Sequence, residues 1–349
     1  MDFSQQAKSL LQPLRLAMYN FEAAGVQQAM QSVFAADAKI CLAYPFGILH
    51  GADSLYEQVY APLFKSIPDL ERRDYIVISG VTEQDDLWVG CAGFYMGTFA
   101  HNWLDIPATG HVVHMRFHEF YCIKDNRIVE MQALWDIPEV MFQAGAWPLA
   151  PALGKTWHVP GPATHNGLSV DPYNDTLSAQ SRDQVVAMLT AMIRHPAQGG
   201  PEVMELDKFW HPRFNWYGPT GIGTARGVSG FRNWHQIPFL RAMPDRGLHN
   251  DDVNFHFFAD GEYVGVTGWP NMKQTISHDG WMGIAPTNKI VTLKSLDFWR
   301  LENNLIRENW VLVDLLDLYQ QIDVDVFSRL REFNRARAGF NPDTGHSDS

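Results

Sequence analysis

Two aspartates, Asp136 and Asp314, each close a run of alternating residues that reads as a β-strand. Side chains two apart on a strand share a face, so Glu130, Gln132, Leu134 and Asp136 point one way. Glu308, Trp310, Leu312 and Asp314 do the same. A carboxylate set among leucine and tryptophan is partly desolvated, and desolvation raises its pKa toward the range where it accepts and returns a proton near neutrality. The competing reading is a strand-end aspartate that caps the turn after it.

Three histidines, His111, His114 and His118, form a second group. His114, Arg116 and His118 fall on one strand face and His111 on the other, a poor geometry for a three-histidine metal site. They either enter a pocket or pack at the surface or between domains. Farther on, Asn215, Tyr217 and His278 could supply the few polar contacts of an aromatic pocket, or be satisfied polar tips of an aromatic core. There is no phosphate-cradling glycine loop, no serine nucleophile elbow and no His-Glu-x-x-His, and Gly221-Ile-Gly223 lacks the preceding strand and third glycine of a dinucleotide site. No cofactor is therefore expected, and a cofactor-free reaction or plain binding remains.

The elements that position these residues come in two sets. Pro62-Leu-Phe-Lys-Ser-Ile-Pro68-Asp69 is echoed by Pro238-Phe-Leu-Arg-Ala-Met-Pro244-Asp245, an offset of 176 that also relates Gly51 to Gly227. Phe120 and Phe298, Ile128 and Ile306, Glu130 and Glu308, and Asp136 and Asp314 are related by 178. Ordered matches that slip by one loop-length change mark an internal duplication. Each copy reads as helices (10–24 and 26–35; 181–194, with Ser181 as N-cap, and 203–210), a short strand, a small helix, then an antiparallel meander. In copy one the helix at 10–24 stops at Gly25, and the strands fall at 38–44, 75–80, 87–99, 112–123 and 127–136. Lys124-Asp-Asn126 and Glu302-Asn-Asn304 carry the residues of tight hairpin turns. The expected class is α+β. The domains are expected at 1–146 and 178–338, joined by a Pro/Gly-rich linker at 147–177 that packs across a domain face, with a frayed polar tail at 339–349.

The totals fit that division. The chain has 349 residues, 46% of them hydrophobic, which suits two ordinary cores. Twenty-seven Lys and Arg against 39 Asp and Glu leave a net charge of −12 with no basic run, which argues against nucleic acid and anionic membrane as partners. The N-terminus has no continuous apolar run, and three cysteines without Cys-x-x-Cys spacing suit a reducing compartment, so a cytoplasmic location is expected.

The order of elements and the closing pattern resemble the SnoaL-like polyketide cyclases of the nuclear transport factor 2-like superfamily. The matching residues are Ile106 through Gly110, Met115-Arg116-Phe117, Phe120, Ile128 through Glu130 and Trp135-Asp136 with Gln143 beyond. In copy two they are Asp297 through Arg300, Leu305 through Trp310, and Asp314 followed by Gln320 and Gln321. The resemblance implies two tandem cones, each with helices on a strongly curved antiparallel sheet around an apolar pocket. It also implies dimerisation through the sheet, which a tandem copy can satisfy as a pseudo-dimer within one chain; a homodimer of the whole chain stays open. It makes Asp136 and Asp314 the acid/base residues of an intramolecular aldol cyclisation.

Two classes of function follow: a lyase or isomerase acting on a small hydrophobic carbonyl compound, or a non-catalytic binder on the same fold. Under the first, Asp136, Asp314 and His118 are the catalytic candidates, and His114, Arg116, Gln132, Trp135, Asn215, Tyr217, His278 and Trp310 the binding candidates. Copy one, with more titratable groups, is the expected seat of catalysis. Epoxide hydrolysis, known on related folds, ranks lower because no paired carboxylates and arginine around one water can be located.

Overall fold

The computed structural model describes residues 2–249 and 251–336 and holds two six-stranded sheets, one from each half of the chain. In the first, β1 (Phe34–Leu42), β2 (Ile48–His50), β3 (Glu71–Val81), β4 (Leu87–Thr98), β5 (Val112–Lys124) and β6 (Arg127–Trp135) lie in the order β2-β1-β6-β5-β4-β3. Only β1 and β6 run parallel. The second uses β7 (Trp210–Tyr217), β8 (Thr224–Arg226), β9 (Phe255–Asp260), β10 (Tyr263–Gly268), β13 (Ser295–Glu302) and β14 (Leu305–Val313) in the corresponding order β8-β7-β14-β13-β10-β9. β11 (Met272–Thr275) and β12 (Ile290–Leu293) form a separate pair. Each half is thus an α+β cone, and the two stand in tandem.

Local chemistry sets the joints. Asp125 and Asn126, and equally Asn303 and Asn304, take left-handed φ of 50°, 56°, 52° and 62°, which closes the hairpins β5–β6 and β13–β14 where the sequence predicted them. The first helix, Phe3–Tyr19, starts earlier than its apolar spacing suggests, because Asp2 caps it by accepting from Gln5 N at 2.8 Å. It ends at Asn20; Gly25 lies inside the next helix, Ala23–Val33. In copy two the helix Asp175–Met192 is capped by Asn174, and Ser181 is an interior residue. The tail expected to fray, 339–349, lies outside the described residues. Among the described residues, no helix is long and apolar enough to cross a membrane.

The two sheets pack back to back. Val113, Met115, Phe117, Glu119 and Tyr121 of β5 face the first cone, whereas alternate residues Phe120 and Cys122 join a cluster shared with the other copy. That cluster unites Ile76, Ile78, Trp88 and Leu134 with Phe258, Leu296, Phe298, Trp310 and Leu312. Phe120 and Phe298, equivalent in the repeat, stack with ring centroids 4.9 Å apart. Gly90 and Gly265 permit this approach: a Cβ on Gly90 would meet Phe298 at 2.9 Å, and one on Gly265 would meet Phe258 at 2.7 Å. Burying each such aromatic is worth about 1.5–3 kcal/mol, so the seam is a third core. The segment 147–177 lies along it: Val159 joins the cluster, Pro160 O accepts from Trp310 Nε1 at 3.0 Å, and Gly167 O accepts from Val77 N at 2.7 Å.

The copies differ in one backbone feature. β4 and β5 are continuous, but their counterparts break between β10 and β11 and between β12 and β13. Pro270 at the first break has no N–H to give the ladder. Asn271 spans the gap by side chain, donating Nδ2 to Ser295 O at 2.7 Å and accepting from Ser295 N at 3.0 Å.

Candidate active site in the second cone

The interior of the first cone is occupied by its own side chains. Fully buried Glu119 accepts through Oε1 from Tyr95 OH (2.9 Å), Trp135 Nε1 (2.9 Å) and Tyr60 OH (3.3 Å). Its Oε2 accepts from Tyr121 OH at 2.6 Å and from the Arg72 guanidinium, which also lies 4.2 Å over the Phe117 ring and pairs with Asp74 at 2.9 Å. Five donors converge on one carboxylate, so its lone pairs are committed.

In the second cone most of the corresponding positions are smaller or differently charged, Trp299 being the larger exception. Asp297 stands for Glu119, Trp299 for Tyr121, Val313 for Trp135, Gln236 for Tyr60 and Arg246 for Leu70. The result is a cavity of about 280 Å³, walled by aromatics including Trp210, Trp216, Phe231, Phe239, Trp281 and Trp299. Asp297 is half-buried on its wall and accepts from Ser295 Oγ at 2.6 Å. Burial raises its pKa to about 7, against the opposing pull of the Ser295 hydrogen bond and the Arg116 charge.

Several donors on this wall are uncommitted. Trp210, Trp281 and Trp299 Nε1 and Gln274 Nε2 are buried without a hydrogen-bond partner among the described residues. His235 stacks on Trp216 at 4.0 Å, and burial together with the Arg246 charge lowers it to about 3, so it is neutral near pH 7. One acid poised near neutrality among apolar walls and free N–H donors can move a proton on a carbonyl compound while the donors meet the oxygen that gains charge. Among the described residues, no group of three or more His, Cys, Asp or Glu is placed to hold a metal ion.

The residues singled out from sequence lie elsewhere, most of them on the seam. Asp136 Oδ2 accepts from Thr220 N of the other copy at 2.9 Å, and Asp314 Oδ2 from Tyr44 N at 2.9 Å, a reciprocal exchange between equivalent positions. Asp314 also caps the following helix by accepting from Asp317 N at 3.1 Å. Burial raises Asp136 to about 6 and Asp314 to about 7, as desolvation requires, but the slot between them is about 10 Å³, room for one water at most. His118, fully buried, donates from Nδ1 to Leu296 O at 2.6 Å, and burial with the Arg116 charge holds its pKa well below the ordinary value.

The binding candidates divide similarly. Arg116 donates to Tyr217 O (3.1 Å), Gly218 O (2.7 Å) and Val311 O (3.2 Å), tying the copies together. Gln132 accepts from Gly268 N at 3.0 Å, and Trp310 is held by Pro160. His114 pairs with Glu139 at 3.2 Å and packs on His158. Tyr217 OH donates to Glu308 at 3.3 Å and takes a bond from Asn215 Nδ2 at 3.1 Å. His278 is exposed, on a left-handed φ of 51°. Trp135 points into the first cone, where it serves Glu119. The open cavity thus belongs to copy two, whereas the count of titratable groups had favoured copy one; those groups in copy one satisfy one another or face the seam.

Asp297 entered the sequence reading only as part of the family-like pattern of copy two, not as a site candidate, and Arg246 was not singled out. The signal for Asp297 was present: the offset of 178 carries Glu119 onto Asp297, an acid kept in both copies one residue before the paired phenylalanines Phe120 and Phe298. Arg246 follows the repeated Pro-Asp directly, where copy one has Leu70.

Comparison with known proteins places the chain. The SnoaL-like polyketide cyclase family model matches residues 15–144 and again 200–322. The chain belongs to the SnoaL-like polyketide cyclase family and carries two copies of its domain. Among solved structures it is similar to IdmH of Streptomyces antibioticus, described as a candidate polyketide cyclase, at 20% identity over 40% of this chain and 99% of that one, TM-score 0.34. A SnoaL-like protein of Jannaschia sp. CCS1 matches at 20% identity over 40% and 92% of the two chains, TM-score 0.34. AclR of Streptomyces galilaeus, described as a candidate hydroxylase, matches at 17% identity over 40% and 94%, TM-score 0.32. The comparison with curated proteins finds no match.

Proposed function

We propose that this protein is a cofactor-independent lyase or isomerase of the polyketide cyclase type, with its chemistry in the second cone and Asp297 as the acid/base. The observation that carries this reading is a single carboxylate, raised to about 7 and hydrogen-bonded by Ser295, on the wall of an aromatic cavity of about 280 Å³. The substrate is a small hydrophobic carbonyl compound. Ionised Asp297 takes a proton from the carbon beside the carbonyl, and the C–H electron pair passes into an enolate. Its oxygen is met by the uncommitted donors, of which Gln274 Nε2 and Trp299 Nε1 are candidates. The enolate carbon then attacks a second carbonyl of the same molecule, and the alkoxide so formed takes the proton back from Asp297. The three cysteines, buried and unpaired, support a reducing, cytoplasmic setting for this reaction.

The test is deuterium exchange at the acidic carbon of 2-tetralone in D2O, followed by NMR. The wild-type protein is expected to accelerate exchange saturably, and Asp297→Asn to lower the rate by about 10²–10⁴. Exchange untouched by that substitution would leave a binding protein on the same fold.

A further inference from the structure

Besides His235, the cavity wall of the second cone carries three partly exposed basic side chains, Arg246, His249 and Lys273. Two have carboxylates of their own. His249 Nε2 lies 2.9 Å from Asp245 Oδ2, and Lys273 Nζ lies 3.2 Å from Asp252 Oδ2. Arg246 has neither an ion pair nor a hydrogen bond among the described residues; its Cζ lies over the Phe239 ring, 5.8 Å from the centroid. Burial lowers its pKa to about 10, which leaves it charged near neutrality. Its nitrogens are not among the buried unpartnered atoms, so its fork of donors opens to the cavity and water and is free to take a ligand carboxylate.

The first cone shows the alternative. There Arg72 reaches Glu119, so cation and carboxylate meet inside the cone and satisfy each other. In the second cone the strand pairing puts Val253, an apolar residue of the cavity wall, in the place of Arg72, and the cation stands instead at 246, where copy one has buried Leu70. Asp297 accepts from Ser295 and is not paired with Arg246. The acid and the cation therefore remain separate features of one aromatic cavity.

We propose that the second cone binds a hydrophobic ring carboxylate, with Arg246 pairing its carboxylate at the mouth while the aromatic walls hold the ring system. This rests on the reading above that the second cone is the working site, and it narrows the substrate class to organic acids. A planar guanidinium suits a carboxylate in two-pronged fashion, and an ester offers it much less.

The experiment titrates the full chain with 2-naphthoic acid and, separately, with methyl 2-naphthoate, reading tryptophan fluorescence, since Trp210, Trp216, Trp281 and Trp299 line the cavity. The wild type is expected to bind the acid about tenfold or more tightly than the ester. Arg246→Leu, which installs the residue of copy one, should erase that preference, and Arg246→Lys should keep part of it, with thermal melting confirming that both variants fold. Equal affinity for the two probes, binding of neither, or a preference that survives Arg246→Leu overturns the proposal. Asp297→Asn should leave the acid-over-ester preference in place. If Asp297→Asn also leaves 2-tetralone exchange intact, the catalytic reading fails and the carboxylate site stands.

Discussion

The two cones share strand order, hairpins and an acid at the same inward position, yet one is packed shut and the other open. In the first, Tyr60, Tyr95, Tyr121, Trp135 and Arg72 converge on Glu119. In the second, the shorter Asp297 faces a cavity from which the bulk of Tyr60 and Trp135 has been withdrawn to Gln236 and Val313. A buried carboxylate with all its hydrogen bonds made rigidifies a core; the same carboxylate with one bond and space in front of it is reactive. The first copy thus commits its acid to a closed hydrogen-bond network, and the second leaves its acid on the wall of an open cavity.

The comparison breaks most visibly at the two acids. Glu119→Gln removes one of the two carboxylates that hold buried Arg72, leaving Asp74, and should cost about 2–3 kcal/mol in urea unfolding, while 2-tetralone exchange per folded molecule stays near the wild-type rate. A large loss of exchange with little loss of stability would assign the chemistry to the first cone instead.

Asp297 should show the opposite sign. Its pKa is about 7 folded against 3.8 for an unperturbed carboxyl, so well below 3.8 both states are protonated and nothing is lost. As pH rises from 4 to 7 the unfolded chain ionises first, and the folded state is progressively destabilised. Above pH 7 the penalty is complete, at most about 4 kcal/mol and less to the extent that cavity water solvates the group. Asp297→Asn is therefore expected to be more stable than the wild type at pH 8, by about 2–4 kcal/mol, with the gap closing toward pH 4; urea midpoints at both pH values measure it. A gap independent of pH would mean that Asp297 is not held at a raised pKa.

The smallest effect is expected at the seam. Asp314→Asn keeps one oxygen for either Tyr44 N or Asp317 N and loses the other bond, a cost to the seam, and should still leave exchange within about twofold of the wild type. A hundredfold loss there would return the acid/base role to the strand-end aspartate.

Much of this architecture was legible in the residues. The offset between Pro62 and Pro238 announced two copies, and the Asp-Asn and Asn-Asn turns placed the closing hairpins, because left-handed turn residues act locally. Alternation along β6 and β14 correctly put Asp136 with Leu134, and Asp314 with Leu312, on one face. Period two defines two faces without saying which of them is the interior of the cone. Here both faces are apolar, one because it lines or fills a cone and the other because it is sealed against the second copy, so hydrophobicity could not choose between them. That choice fell to the packing of sheet on sheet, which turned Asp136, Asp314 and His118 into the seam and left Asp297 and Arg246 facing open space.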